Sequence, residues 1–163
     1  MQEDLSDLYQ EVILDHFKRP RHYHPMERCD VCQPGKNPLC GDELTIYLSS
    51  DPVRGVTASF EGHGCSISKA SASIMVEAIN GRSRGEVLEL IGRFNDRIRG
   101  TNDAVIAEED MTDLDALAGV RQYPVRIKCA SLAWKALELA LKELDERKEG
   151  GPKSGTPVST EQH

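Results

Sequence analysis

Several features are missing from this chain, and each absence removes a class of protein. No apolar run approaches the ~18 residues of a membrane-spanning helix. The N-terminal segment carries acids among its apolar positions, which argues against a secretory leader. A basic excess is missing too: the net charge is −7, which disfavours a nucleic-acid partner. No internal repeat is present. The C-D-V-C stretch at Cys29–Cys32 has no second knuckle, so a paired zinc-knuckle site is excluded. A zinc deaminase would need a glutamate beside its first ligand and a PCxxC pair, and neither occurs in that arrangement.

What remains is a globular composition, 39% hydrophobic with 5% aromatic residues, in 163 residues. That length suits one domain with a real core. We assign the domain to residues 1–148 and read the Gly/Pro/Ser/Thr-rich tail, 149–163, as disordered. Leu5, Leu8, Tyr9, Val12, Ile13 and Phe17 recur at helical spacing, so 5–17 reads as an amphipathic helix ended by Pro20. Residues 18–37 read as a locally basic loop. Leu44, Ile46 and Leu48, then Val56, Ala58 and Phe60, alternate with more polar residues around a turn at Asp51–Gly55, the pattern of an antiparallel hairpin. A helix with a small-residue face (Ala70 to Ser73) follows, closed by Gly81. Ser83 and Glu86 form a capping box for the next helix. The stretch 101–115 holds six acids and no base and reads as an exposed excursion with a short helical restart near Thr112. The last helix is expected at 130–147. The order predicts an α+β domain, with helices packed on one face of a small antiparallel sheet.

Three cysteines occupy comparable places. Cys40 lies in the turn N-P-L-C-G-D before a strand, Cys65 at a strand-to-helix junction, and Cys129 just before the last helix. A helix N-terminus lowers a thiol pKa, and Arg126 and Lys128 push Cys129 the same way. Together with Asp42 the three thiols would give four ligands suited to zinc or to iron–sulfur coordination. Spacing alone leaves a second reading open, because buried cysteine commonly serves as a small hydrophobe.

The segments at 8–21 (L-Y-Q-E-V-I-L-D-H-F-K-R-P-R), 37–42 (N-P-L-C-G-D), 60–73 (F-E-G-H-G-C-S-I-S-K-A-S-A-S) and 126–138 (R-I-K-C-A-S-L-A-W-K-A-L-E) carry a resemblance. In that order they resemble the U-type iron–sulfur cluster assembly proteins (the IscU/NifU N-terminal-like family), and most closely the SufU branch. The resemblance implies a SufE/NifU-like α+β fold with a metal site at one sheet edge, made here by Cys40, Asp42, Cys65 and Cys129. IscU-type scaffolds carry a histidine before the third cysteine, where this chain has Lys128; SufU-type proteins carry an insertion, matched by 83–120. The SufU branch implies a cytoplasmic protein of the SUF system: a zinc-dependent, sulfurtransferase-like acceptor rather than an independent turnover enzyme. It would take persulfide sulfur from a SufS-type cysteine desulfurase and pass it to a downstream iron–sulfur scaffold or apo-proteins. The other branch implies a scaffold on which a [2Fe–2S] cluster is built, with iron in place of zinc. Cys40 is our candidate acceptor, because its Gly-flanked turn can swing outward, and Arg126 is the candidate for steering the exchange.

The chain departs from the family at Cys29–Cys32, where these proteins tend to have an edge strand, so that strand is expected to be shortened or distorted. His22, His24, Cys29 and Cys32 are a candidate second zinc set; a redox-active pair and a pair of free thiols are the alternatives. His63 is read as solvent-facing or hydrogen-bonded near the metal rather than ligating, His16 as a capping or docking residue, and Trp134 as packing or interface.

Overall fold

The fold is described from a computed structural model covering residues 2–100, 112–150 and 158–159, with side chains described for 10–100 and 112–146. The chain runs α1 (Gln2–Lys18), β1 (Val31–Asn37), β2 (Asp42–Asp51), β3 (Gly55–His63), α2 (Ser66–Ile79), α3 (Arg84–Arg99), a 3-10 segment (Asp113–Gln122), α4 (Pro124–Gly150) and β4 (Val158–Ser159). The sheet order is β3-β2-β1-β4. β1, β2 and β3 are antiparallel, and β4 joins β1 in parallel at Gly35 and Lys36. This is the expected α+β architecture. No described helix is long and apolar enough to cross a membrane.

Alternation decides which face of the sheet is covered. Leu44, Ile46 and Leu48 of β2 and Val56, Ala58 and Phe60 of β3 are buried, and α2 and α4 pack against the sheet. The hairpin turn is set locally. The Asp51 carboxylate accepts the N–H groups of Val53 (2.7 Å) and Arg54 (3.2 Å), which holds its pKa below the ordinary value. The Ser83–Glu86 capping box forms as expected. Trp134 serves packing: it stacks on Phe94 at 4.5 Å, and its Nε1 donates to Ser71 Oγ.

Several expectations need correction. The supposed loop 18–37 ends in β1, a full seven-residue strand whose Val31, Gln33, Gly35 and Asn37 face inward. Pro34 and Gly35 hide it from a pattern search, and three of its four inward residues are not apolar, yet the register with β2 is unbroken from Val31↔Leu48 to Asn37↔Asp42. The last helix begins at Pro124, not 130, with proline in the first turn, where its missing N–H costs no bond. The acidic stretch is not wholly an excursion. Its first part, 101–111, lies outside the described residues, but Asp115 is buried and accepts from Arg93 (2.7 Å), Arg97 (3.1 Å) and the Thr112 N–H (2.7 Å). Of the tail, α4 reaches Gly150 and Val158–Ser159 form β4; 151–157 and 160–163 lie outside the described residues.

His16 is a buried tie rather than a cap. Nδ1 meets Ser73 Oγ and Nε2 meets Asp113 Oδ2, both at 2.7 Å, which joins α1 to α2 and to the 3-10 segment.

Burial pushes the Asp115 carboxyl up, but the Thr112 N–H and Arg93 more than offset this and hold its pKa below 3.8. Its stabilisation is therefore complete above that ordinary value and is lost as pH falls through the lower folded value. Asp115→Ala should cost about 3 kcal/mol in urea unfolding at neutral pH. The gap from the parent chain should narrow on acidification; a gap that stays constant would contradict the ion-pair account.

Candidate metal centre

Asn37–Asp42, the N-P-L-C-G-D stretch, is the turn from β1 to β2. The Cys40 N–H donates to the Asn37 carbonyl at 3.2 Å, and Gly41 takes φ +71°, a conformation that favours glycine. Asp42 then opens β2 fully buried. At the other end of the hairpin, β3 runs through Gly62-His63-Gly64 into Cys65, the N-cap of α2. Gly64 has φ +157°, and any Cβ there would collide with Asp42 Oδ1. Its absence lets the Asp42 carboxylate reach under the junction and accept the Cys65 N–H at 2.7 Å. The Cys65 sulfur accepts from Ser68 N–H at 3.4 Å and lies 3.8 Å from Asp42 Oδ2.

Cys129 completes the group from α4. Its sulfur is buried, 3.4 Å from the Cys40 sulfur and 3.9 Å from the Val125 carbonyl one turn earlier. Because α4 starts at Pro124, Cys129 is inside the helix rather than at its N-terminus. The expected lowering of its pKa is therefore reversed: burial, then contact with Cys40 and Cys65, pushes the thiol well above its ordinary value.

One ligand atom each from Cys40, Asp42 and Cys129 lie within 4.8 Å of one another, and Cys65 adjoins through Asp42. Ligands at about 2.0–2.3 Å from a tetrahedral ion stand roughly 3.3–3.8 Å apart, and the Cys40–Cys129 and Cys65–Asp42 separations of 3.4 and 3.8 Å match that, while Cys65 lies outside the group whose atoms are all within 4.8 Å of one another. Among the described residues no Lys, Arg or His forms an ion pair with the buried Asp42, whose oxygens meet only Cys65. A buried carboxylate with three sulfurs and no cationic side chain suits a thiophilic metal.

Asn37 belongs to the site and was not foreseen. It is buried, its Nδ2 approaches the Cys129 sulfur at 3.7 Å, and its Oδ1 has no partner. An asparagine before proline reads as a turn former, and nothing local says that its amide meets a sulfur 92 positions away. Arg126 is exposed on α4 beside Cys129 and lines a groove of about 900 Å³ with Ser66, Ile67 and Tyr123. Leu39, beside Cys40 in the turn, and Tyr123 and Val125, at the start of α4, are large apolar residues each about 60% exposed. His63 is solvent-facing, 3.4 Å from Glu43.

The second zinc set does not assemble. Cys29 and Cys32 are joined by a disulfide, so they offer no thiolates. Among the described residues the other ligand-type group is His16, Glu77 and Asp113, whose members are already engaged with one another and, at Glu77, with Arg21.

Comparison with known proteins gives a consistent result. The model of the NifU-like N terminal domain matches residues 8–150. The zinc-dependent sulfurtransferase SufU of Bacillus subtilis is 42% identical over 83% of this chain and 90% of its own length. The iron–sulfur cluster assembly scaffold protein IscU of Streptococcus pyogenes is 38% identical over 85% of each. A crystal structure of a putative iron–sulfur cluster assembly scaffold protein for the SUF system, from Fervidobacterium islandicum, superposes with TM-score 0.71 at 36% identity, covering 80% of this chain and 94% of that one.

Gly64→Ala should displace Asp42 and weaken zinc retention at least about 10-fold in competition with a chromogenic chelator, while the helical circular dichroism persists. Unchanged retention would show that Asp42 is not held by this junction.

Proposed function

The chain belongs to the NifU-like N-terminal domain family of U-type iron–sulfur assembly proteins, and from that membership we propose that it accepts persulfide sulfur at a zinc-bound Cys40. The donor would be a SufS-type cysteine desulfurase, and the sulfur would pass to an iron–sulfur scaffold or apo-protein. The observation that carries this reading is the convergence of Cys40, Asp42, Cys65 and Cys129 at one end of the sheet, with Cys40 on the turn rather than on a helix.

Zinc bound there would keep the thiols deprotonated without redox chemistry of its own. The residues divide the remaining work. Cys65 caps α2 and Cys129 is inside α4, so both are held by their helices. Asp42 is fixed by the Cys65 N–H. Cys40 is half-buried on a turn closed by one 3.2 Å backbone bond, so it can move without disturbing sheet or helix. Its thiolate attacks the outer sulfur of the desulfurase persulfide. The sulfur–sulfur bond breaks, the electron pair leaves on the desulfurase cysteine, and Cys40 becomes the persulfide. The exposed Leu39, Tyr123 and Val125 would supply apolar contact for that partner, and the exposed Arg126 of α4 would attract its anionic groups.

The same ligands suit assembly of a [2Fe–2S] cluster, the role in the name of the Streptococcus relative. Lys128 in place of histidine, and the higher identity to the Bacillus sulfurtransferase, favour sulfur acceptance.

The protein purified without oxygen should be colourless with one zinc per chain. Cys40→Ala should keep its fold, while sulfur label from a desulfurase loaded with labelled cysteine falls to background. Full labelling of that variant would sink the assignment to Cys40, and stoichiometric iron and sulfide with visible absorption bands would favour the scaffold.

A further inference from the structure

Cys29 and Cys32 take no part in the centre above, and their position gives them a separate chemistry. Their disulfide lies at the entrance to β1, whereas the candidate ligands begin beyond its other end. From Cys32 to Asn37 an extended strand spans about 17 Å. Neither sulfur can reach Cys40 unless the sheet comes apart. Strand alternation turns Val31 and Gln33 inward and leaves Cys32 exposed, with Cys29 half-buried behind it. An incoming thiol therefore meets the Cys32 sulfur first.

The backbone around the bridge is held by bonds that involve no sulfur. The Asp30 N–H donates to the Leu48 carbonyl at 2.8 Å, and the Asp30 carboxylate accepts the Ser50 N–H at 2.9 Å. The Ser49 hydroxyl donates to the Arg28 carbonyl at 3.0 Å. Val31 and Cys32 then enter the ladder opposite Leu48 and Tyr47. Opening the bridge leaves this anchoring intact and keeps the two sulfurs neighbours. A loop with two intervening residues also removes little entropy from the unfolded chain, so stability depends little on its closure. An accessible sulfur, a short loop and independent anchoring are the conditions for an exchangeable disulfide rather than a structural one.

We propose that Cys29 and Cys32 form a redox-active site that exchanges two electrons with an external thiol–disulfide couple. In the reducing direction an external thiolate attacks Cys32 Sγ. The bond to Cys29 breaks, and the electron pair leaves on the Cys29 sulfur, next in sequence to the cationic Arg28, where it takes up a proton. A second external thiol then attacks the external sulfur of the mixed disulfide and releases Cys32 as a thiol. The external couple departs as a disulfide, having given up two electrons and two protons, and the chain holds a dithiol. Reoxidation by an external disulfide is the reverse. This site does not rest on the sulfur-acceptor reading, and either can fail alone.

The test equilibrates the full chain in graded mixtures of reduced and oxidised glutathione, quenches with acid, alkylates under denaturing conditions and weighs the peptide holding both cysteines. Alkylable thiols should rise from three to five per chain in one reversible two-electron transition, with the circular dichroism unchanged. The Cys29→Ser/Cys32→Ser double variant should fold and show three thiols at every ratio. A bridge that persists until the chain unfolds would make it a structural cross-link and overturn the proposal. So would thiols that never pair at the oxidising end.

Discussion

The bond from the Cys65 N–H to the buried Asp42 carboxylate organises this end of the molecule. It joins the first residue of β2 to the N-cap of α2, and it exists only because Gly64 presents no side chain to Asp42. Once it forms, two of the four candidate ligands have a fixed relation. The β1–β2 turn brings Cys40 alongside, and α4, packed on α2 and on β1 and β2, delivers Cys129. A hydrogen bond to an ionised acceptor is worth about 1.5–3 kcal/mol, and its loss here would leave a carboxylate buried without compensation. The site thus depends on one close approach of backbone and side chain more than on any property of the thiols.

That arrangement also divides mobility among the ligands. Cys65 and Cys129 belong to helices whose apolar faces are in the core, so moving either sulfur means moving a helix. Cys40 is on a short turn with glycine on one side and the exposed Leu39 on the other. Under the proposed role the accepting sulfur is offered to a partner and then withdrawn, and of the three thiols the one on the turn does so at the lowest cost.

Features whose causes are local could be read from the sequence. The hairpin follows from alternation and the Asp51 turn, and the Ser83–Glu86 cap from four residues; the candidate ligand set rests on motifs in family order, not on a local cause. What stayed hidden involves partners far apart in the chain. β1 contains Pro34 and Gly35 and buries Gln33 and Asn37, so neither composition nor apolar alternation marks it; only pairing with β2 makes it a strand. His16 finds Ser73 and Asp113, and Asn37 finds Cys129, across separations that no window spans. The Cys129 expectation failed because the Tyr123–Pro124 step opens the helix ahead of Cys129, and the sulfur is covered rather than presented at a helix end.

In the proposed site one thiophilic ion is held by the sulfurs of Cys40, Cys65 and Cys129 and an oxygen of Asp42. X-ray absorption at the zinc edge of the purified protein tests it most directly. The expected result is three sulfurs at about 2.3 Å and one oxygen at about 2.0–2.2 Å from the ion. A shell of nitrogen and oxygen alone, or of four sulfurs without oxygen, would contradict it.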